Sequence, residues 1–369
     1  MDSEAVARLA GAARVPHGSS DDPDLLDFSA NTNPEVPAGV DAVYADALDA
    51  ARSYLDDAYP EYRSAAAEHV TAGGDGAAGD EGAGADGEDG ATPVGPEQVV
   101  PTPGGLAALR LALSVAVDPG DRVLVPAPSF GEYAREVKLQ GGEPAFVAHD
   151  DILDADPAPH ALAVVCNPNN PTGEAYDADA LRGFARRCRA ADTTLLVDEA
   201  FLGFTDEPSL AGKAGVIVAR SLTKLFGFPG LRAGFAVASG PSGATDDLYD
   251  LLATARPAWS LGWPAARVGC VSMRDEAFVA ATRERVASER AYLRAHLSDQ
   301  FRVRESDAPF LLVDVGRDPT PLVERARERG VVVRDATTFR GLDSHIRVAV
   351  KERAANDRLL AALGADVSD

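Results

Sequence analysis

Val216-Ile-Val-Ala-Arg-Ser221-Leu-Thr-Lys224-Leu-Phe-Gly-Phe-Pro-Gly-Leu-Arg232 is the stretch from which the rest of the chain is read. Val216 to Ala219 form an apolar run that gives way to a Gly/Pro-rich turn, the pattern of a short buried strand ending in a loop. Lys224 therefore stands just past a strand end, where the hydroxyls of Ser221 and Thr223 and the guanidinium of Arg232 can converge on a phosphate. A lysine on an apolar bed beside another cation loses proton affinity, and its neutral amine can condense with an aldehyde. A solvated surface lysine is the alternative, and composition weighs against it. The chain has four lysines (Lys138, Lys213, Lys224, Lys351) against thirty-one arginines.

Outward from this stretch, strand-like and helix-like segments alternate. Gly104–Val117 has helical spacing and Arg122–Val125 reads as a strand; Phe130–Leu139 is helical again. Ala161–Cys166 is a strand, Ala178–Ala190 an amphipathic helix and Thr194–Val197 the next strand. Such alternation predicts an α/β fold with a central, mainly parallel sheet and helices on both faces. Ligands in these folds bind at the carboxyl ends of the strands. Two of those ends carry polar motifs: Asn167-Pro-Asn-Asn-Pro-Thr-Gly173 and Asp198-Glu.

From about residue 275 the pattern changes to a long charged helix (275–299) and strands at 310–315, 331–334 and 346–350, which reads as a smaller α+β domain. The expected organisation is an N-terminal arm over the active site (1–45), a large domain (46–245) and a small C-terminal domain (246–369). The arm from Pro16 to Pro37 is expected to be a loop. Residues 71–95, nearly all Gly, Ala, Asp and Glu, read as a flexible acidic insertion.

The net charge of -23 argues against nucleic-acid and anionic-membrane partners, because the overall field repels phosphate-rich surfaces. The same acidity, with scarce lysine and abundant Ala and Gly, suits a protein kept soluble in high salt, so a halophilic source is expected. No apolar run reaches the length of a membrane span, and Met1-Asp-Ser-Glu lacks the basic start of a signal peptide; a soluble, cytoplasmic protein is expected. Cys166, Cys188 and Cys270 lie far apart without a CxxC pair or a histidine cluster, which suits buried free thiols and no metal site.

Pyridoxal phosphate needs a lysine for its aldehyde, a carboxylate for its pyridine nitrogen, donors for its phosphate and a face to stack on. Lys224 and Asp198 supply the first two. Asn170 is a natural donor to the phenolic oxygen, Gly104-Gly-Leu106 opens a helix where free N–H groups favour an anion, and Phe130 offers the face. Taken singly, Asp198 also reads as a turn residue capping a helix, Asn170 as an Asn/Pro turn and Phe130 as core.

In that order the motifs resemble the fold-type I pyridoxal-phosphate enzymes, in the aminotransferase class I/II family, over nearly the whole chain outside 71–95. The resemblance implies that Lys224 carries the cofactor and Asp198 pairs with its ring nitrogen. Asn170 then donates to the phenolic oxygen, and Ser221 and Arg232 bind the phosphate. Tyr59, in Tyr-Pro-Glu, matches a tyrosine that reaches the cofactor phosphate of a neighbouring subunit, implying a homodimer.

Arg347 resembles the family's binder of the substrate carboxylate, and Arg334 the arginine that binds a substrate phosphate in histidinol-phosphate aminotransferases; a surface salt bridge is the alternative for each. The arm, with His17-Gly and Asp27-Phe-Ser-Ala-Asn31-Thr-Asn33-Pro, is similar to the branch of threonine-phosphate decarboxylases, with His17 and Asn33 as substrate contacts. Phe201 points the same way, because the aminotransferases of that neighbourhood usually have tyrosine there. The implied substrate is a small phosphorylated amino acid. The implied reaction is decarboxylation of threonine phosphate for cobalamin biosynthesis, with histidinol-phosphate transamination as the alternative.

Overall fold

The computed structural model describes residues 1–11, 14–72, 93–239 and 248–365. Most of the expected acidic insertion, residues 73–92, lies outside the described residues, while Thr71 and Ala72 close a helix. In chain order, α1 (Ser3–Leu9), β1 (Leu26–Asp27), α2 (Val40–Ala50) and α3 (Pro60–Ala72) precede β2 (Val99–Thr102) and α4 (Gly105–Ala116). Next come β3 (Arg122–Ala127), α5 (Glu132–Leu139), β4 (Glu143–Ala148), β5 (Leu162–Cys166), α6 (Ala178–Ala190) and β6 (Thr194–Asp198). β7 (Val216–Ser221), α7 (Leu222–Leu225), β8 (Gly234–Ala238), α8 (Leu248–Ala255), α9 (Trp263–Met273) and α10 (Glu276–Ser298) follow. The chain continues through β9 (Arg302–Val303), β10 (Phe310–Asp314), α11 (Thr320–Glu328), β11 (Val331–Val332), β12 (Arg334–Asp335), β13 (His345–Ala349) and α12 (Arg353–Leu363).

Seven strands form one sheet in the order β2-β8-β7-β6-β5-β3-β4, with β8 antiparallel to both its neighbours and every other pair parallel. The α/β fold with a mainly parallel sheet is thus as expected. Every residue of β5 and of β8 is buried, as in strands covered on both faces. One face packs Leu109, Leu113, Val137 and Leu252 from the helices α4, α5 and α8. The other packs α3, α6 and α9, and its cluster runs on without a break through Val286 and Leu293 to Phe310 and Leu359. Asp177 and Asp275 cap α6 and α10, accepting the N–H groups of Ala180 and Phe278 at 2.9 Å each.

The smaller sheet, β12-β13-β10-β9, is antiparallel throughout. We divide the chain into units by packing: α8 lies on α4, β2 and β8, and α9 on α2 and α3, so both belong with the large sheet and the boundary moves from 245/246 to after Met273. The strand expected at 331–334 is broken in two. β11 pairs with β1 of the arm, whereas β12 pairs with β13 and sets Arg334 opposite Arg347. The arm, expected to be a loop, therefore contains a strand, Leu26–Asp27, that fastens it to the small unit. The three cysteines are free and buried. No helix among the described residues is long and apolar enough to cross a membrane.

Candidate active site

The parallel register aligns Cys166, Asp198 and Ala219 across three neighbouring strands, so β5, β6 and β7 end side by side. The chain leaving each end supplies Asn170, Asp198, and Ser221 with Lys224. These residues line a cavity of about 360 Å³. The same cavity is lined by Gly105, Leu106, Phe130, Thr223 and Arg232 from the large unit, by Arg334 and Arg347 from the small one, and by His17 from the arm.

The Lys224 backbone carbonyl accepts the Asn33 N–H at 3.0 Å, whereas its side-chain amine has no hydrogen-bond partner among the described residues. Burial lowers its pKa to about 8; the nearby charges of Arg347 and Arg232 act the same way, and Asp198 acts against them. Asp198 is buried, and desolvation raises its carboxyl pKa. It is held by the Tyr133 hydroxyl, which donates to Oδ2 at 2.6 Å, and by the Ala200 N–H, which donates to Oδ1 at 3.0 Å.

The phosphate-friendly corner is built by close approach. Gly104 precedes α4 with φ 95°, and a Cβ there would lie 2.6 Å from the Arg232 guanidinium; one on Gly105 would lie 3.0 Å from the Ser221 side chain. Gly104 therefore stands behind the cavity, allowing Arg232 to approach, while Gly105 and Leu106 line it with the first N–H groups of the helix. Ser221 Oγ and Thr223 Oγ1 are 2.8 Å apart.

Arg347 is buried, with Nη1 donating to Asn170 Oδ1 at 2.6 Å and Nη2 to the Ser29 carbonyl at 2.9 Å; its Nε has no hydrogen-bond partner among the described residues. Burial and then the Arg334 charge push its pKa down to about 9, which leaves it charged at neutral pH. Arg334 donates to the Pro16 carbonyl at 2.7 Å and to Thr338 Oγ1 at 2.8 Å, so the arm is clamped at the cavity mouth. Like charges directly opposite in an antiparallel ladder are destabilising, and an anion between them would relieve that repulsion. His17 lies over Phe130 with ring centroids 5.6 Å apart, and its Nε2 is 2.9 Å from Glu132 Oε1.

Besides Gly104, one residue expected at this chain's own site does not line the cavity. Asn33 is a correction: its Nδ2 donates to the Leu225 carbonyl at 2.8 Å, and its Oδ1 accepts the Glu35 N–H at 3.1 Å and a bond from Arg285. Its side chain is spent in holding α7. Asn31 lines the cavity instead, 3 % exposed, with Oδ1 lacking a hydrogen-bond partner among the described residues. A tight turn, Thr32 N–H to the Ala30 carbonyl at 3.0 Å, separates the two asparagines, and nothing in the motif itself distinguishes them. Tyr59, expected at the site of a neighbouring subunit, lies away from this cavity and is buried, its hydroxyl donating to the Leu261 carbonyl and accepting the Leu261 N–H, both at 3.0 Å. The sequence does not point to Tyr133 or Glu132, because nothing in an amphipathic helix announces which polar groups face a distant strand end.

The chain matches the family model described as aminotransferase class I and II over residues 23–363, and it belongs to that family. It is 32% identical over 293 residues to the histidinol-phosphate aminotransferase of Halobacterium salinarum, covering 73% of this chain and 77% of that protein. It is 30% identical over 357 residues to the threonine-phosphate decarboxylase of Salmonella typhimurium, covering 92% of this chain and 90% of that one. The fold is shared with the crystal structure of histidinol-phosphate aminotransferase from Sinorhizobium meliloti in complex with pyridoxal-5'-phosphate: TM-score 0.77, 21% identity, 91% of this chain and 89% of that chain.

The residues present fit pyridoxal 5'-phosphate. The site offers an unpartnered lysine amine, a buried carboxylate, an aromatic ring, and a glycine-opened helix start that a Cβ would crowd against Arg232 and Ser221.

Proposed function

We propose that the protein is a pyridoxal-phosphate enzyme that decarboxylates L-threonine O-3-phosphate to aminopropanol phosphate. The observation carrying this reading is the pair Arg334 and Arg347, set opposite each other on one wall of the cavity. Two guanidiniums so close together call for a small substrate with two anionic groups, and threonine phosphate has a carboxylate and a phosphate on a short skeleton. Histidinol phosphate has only the phosphate.

Lys224 would hold the cofactor, Asp198 would keep its ring nitrogen protonated, and Asn170 Nδ2 would donate to its phenolic oxygen. Gly105, Leu106, Ser221, Thr223 and Arg232 would bind its phosphate, with Phe130 against the ring and Gly104 giving room for Arg232. When bound, the cofactor supplies an electron sink for the bond broken at Cα. Arg347, already fixed by Asn170 and Ser29, grips the substrate carboxylate with its remaining N–H groups and sets which bond at Cα faces the sink. Arg334, His17 and Asn31 hold the substrate phosphate at the arm. Lys224, with its proton affinity lowered by burial, would deliver to Cα, in place of the departed carboxylate, a proton taken up from solvent. Phe201 packs edge-on against Phe310 at 5.1 Å and brings no hydroxyl to the cofactor's phenolic oxygen, leaving that oxygen to Asn170.

Incubation with threonine phosphate tests this reading. Carbon dioxide released without a keto-acid acceptor supports it. Acceptor-dependent formation of a keto product from histidinol phosphate, offered in a parallel incubation, supports histidinol-phosphate transamination, which the 32% identity to such an enzyme favours and whose dicarboxylate co-substrate would occupy both arginines.

We infer two further properties of this enzyme. Tyr44, Leu48, Tyr54 and Trp259 are exposed, with the Tyr54 and Trp259 rings 4.6 Å apart, and these apolar side chains support a homodimer; light scattering tests it. The acid surplus supports folding that is strongest in high salt, checked by thermal unfolding against ionic strength.

A further inference from the structure

Tyr133 plays no part in the chemistry above, yet it touches its central carboxylate. Its side chain is 1 % exposed on the first turn of α5, and its hydroxyl reaches Asp198 Oδ2 at 2.6 Å. The direction of that bond is settled by chemistry. Burial and the Asp198 charge raise the phenol's pKa well above its ordinary value, so the hydroxyl keeps its proton and the carboxylate accepts it. The Tyr133 N–H is bonded to the Phe130 carbonyl at 3.1 Å, and the two rings meet edge to face at 5.6 Å. One turn of chain therefore carries both the aromatic face of the cavity and the donor to Asp198.

We propose that Tyr133 is a positioning residue: it fixes the rotation of the Asp198 carboxylate and weakens its pull on the proton shared with the cofactor's ring nitrogen. The proposal rests on Asp198 being the partner of that nitrogen. Ala200 N–H fixes one carboxylate oxygen and Tyr133 the other, so the plane of the group is held from both sides. The titratable groups around Asp198 are Tyr133 on α5, Cys166 on β5, Lys224 on α7 and the adjacent Glu199, which is paired with Arg220 at 2.9 Å. Burial keeps the Cys166 thiol protonated, so Tyr133 is the strong neutral donor among them.

Without the phenol, Asp198 becomes the stronger base and takes more of the shared proton. The ring nitrogen then draws electrons less strongly from the linkage to Lys224, and that linkage holds its own proton to higher pH. The test is a spectrophotometric pH titration of the visible band of the holoenzyme, at saturating cofactor, in wild type, Tyr133→Phe, Asp198→Asn and Tyr62→Phe. Tyr62 is the structural control: it is 1 % exposed and its hydroxyl donates to the Gly234 carbonyl at 3.1 Å. The midpoint in Tyr133→Phe is expected to rise by about one pH unit, the worth of one hydrogen bond to a charged group. In Tyr62→Phe it is expected to stay in place while thermal stability falls.

If Asp198→Asn moves the midpoint and Tyr133→Phe leaves it at the wild-type value, the positioning role is overturned and the Asp198 assignment stands. If neither variant moves it, the Asp198 assignment fails and the proposal with it.

Discussion

The two walls of the cavity are made differently. One is the edge of a single sheet: Asp198 ends β6, and Asn170 and Lys224 follow the ends of its neighbours β5 and β7 within a few residues. The other is assembled from three remote parts of the chain, with Asn31 and His17 from the arm, Arg334 from β12 and Arg347 from β13. The first wall is held by parallel ladder bonds buried on both faces. The second depends on the pairing of β1 with β11, on the arm clamp from Arg334 to Pro16, and on Arg347 bridging Ser29 and Asn170. The residues proposed for the cofactor thus sit on the sheet edge, and those proposed for the substrate on the wall assembled from remote segments.

The largest expected effect falls on the first wall. Lys224→Ala should lower turnover by about 10³-fold or more and abolish the cofactor's visible band; an unchanged band would remove Lys224 from its assigned place. On the second wall, Arg347→Lys keeps the charge but loses the planar fork, and kcat/KM for threonine phosphate should fall by about 10²-fold with the visible band intact. Arg334→Ala should cost about tenfold, chiefly in KM, because that guanidinium is less buried and is bound partly to the arm.

The asparagines of the arm sharpen the contrast between a residue that faces the cavity and one that holds the scaffold. Asn31→Ala is expected to raise KM several-fold with little change in thermal stability. Asn33→Ala, which removes bonds to Leu225 and Glu35, should cost about 1–3 kcal/mol of stability by denaturant unfolding. A KM effect of Asn33→Ala without loss of stability would reverse the two assignments.

The smallest effect is one of pH on the cofactor-free protein. Lys224 titrates near 8, below its ordinary 10.5, so its neutral fraction rises as pH increases through 8. Cofactor uptake should accelerate over that interval and level off above it, and Lys224→Arg should abolish the rise. Because the unfolded chain keeps this proton up to 10.5, burial of the charged amine lowers stability below pH 8. That cost is relieved between 8 and 10.5, so the Lys224 contribution to stability rises with pH there.

The large sheet was legible because strand, motif and turn lie together in the sequence, and helices at 104–117, 178–190 and 275–299 appear within a residue or two of their expected bounds. The break at Val333 was not legible. Val331-Val-Val-Arg334 reads as one strand, and only two competing partners, β1 and β13, divide it. The boundary after α9 was hidden for a similar reason: the apolar faces of α8 and α9 state that they pack, and not on which sheet.

The sequence by itself determined the α/β class, the lysine, aspartate and asparagine at the strand ends, and the family, because those depend on local periodicity and on motifs a few residues long. The tertiary structure alone decided that Asn31 faces the cavity in place of Asn33, that Tyr133 holds Asp198, and that two arginines thirteen residues apart stand opposite each other. Those relations are set by strand register and by one tight turn in the arm, and register is a property of the partner that a segment finds, which its own sequence does not contain.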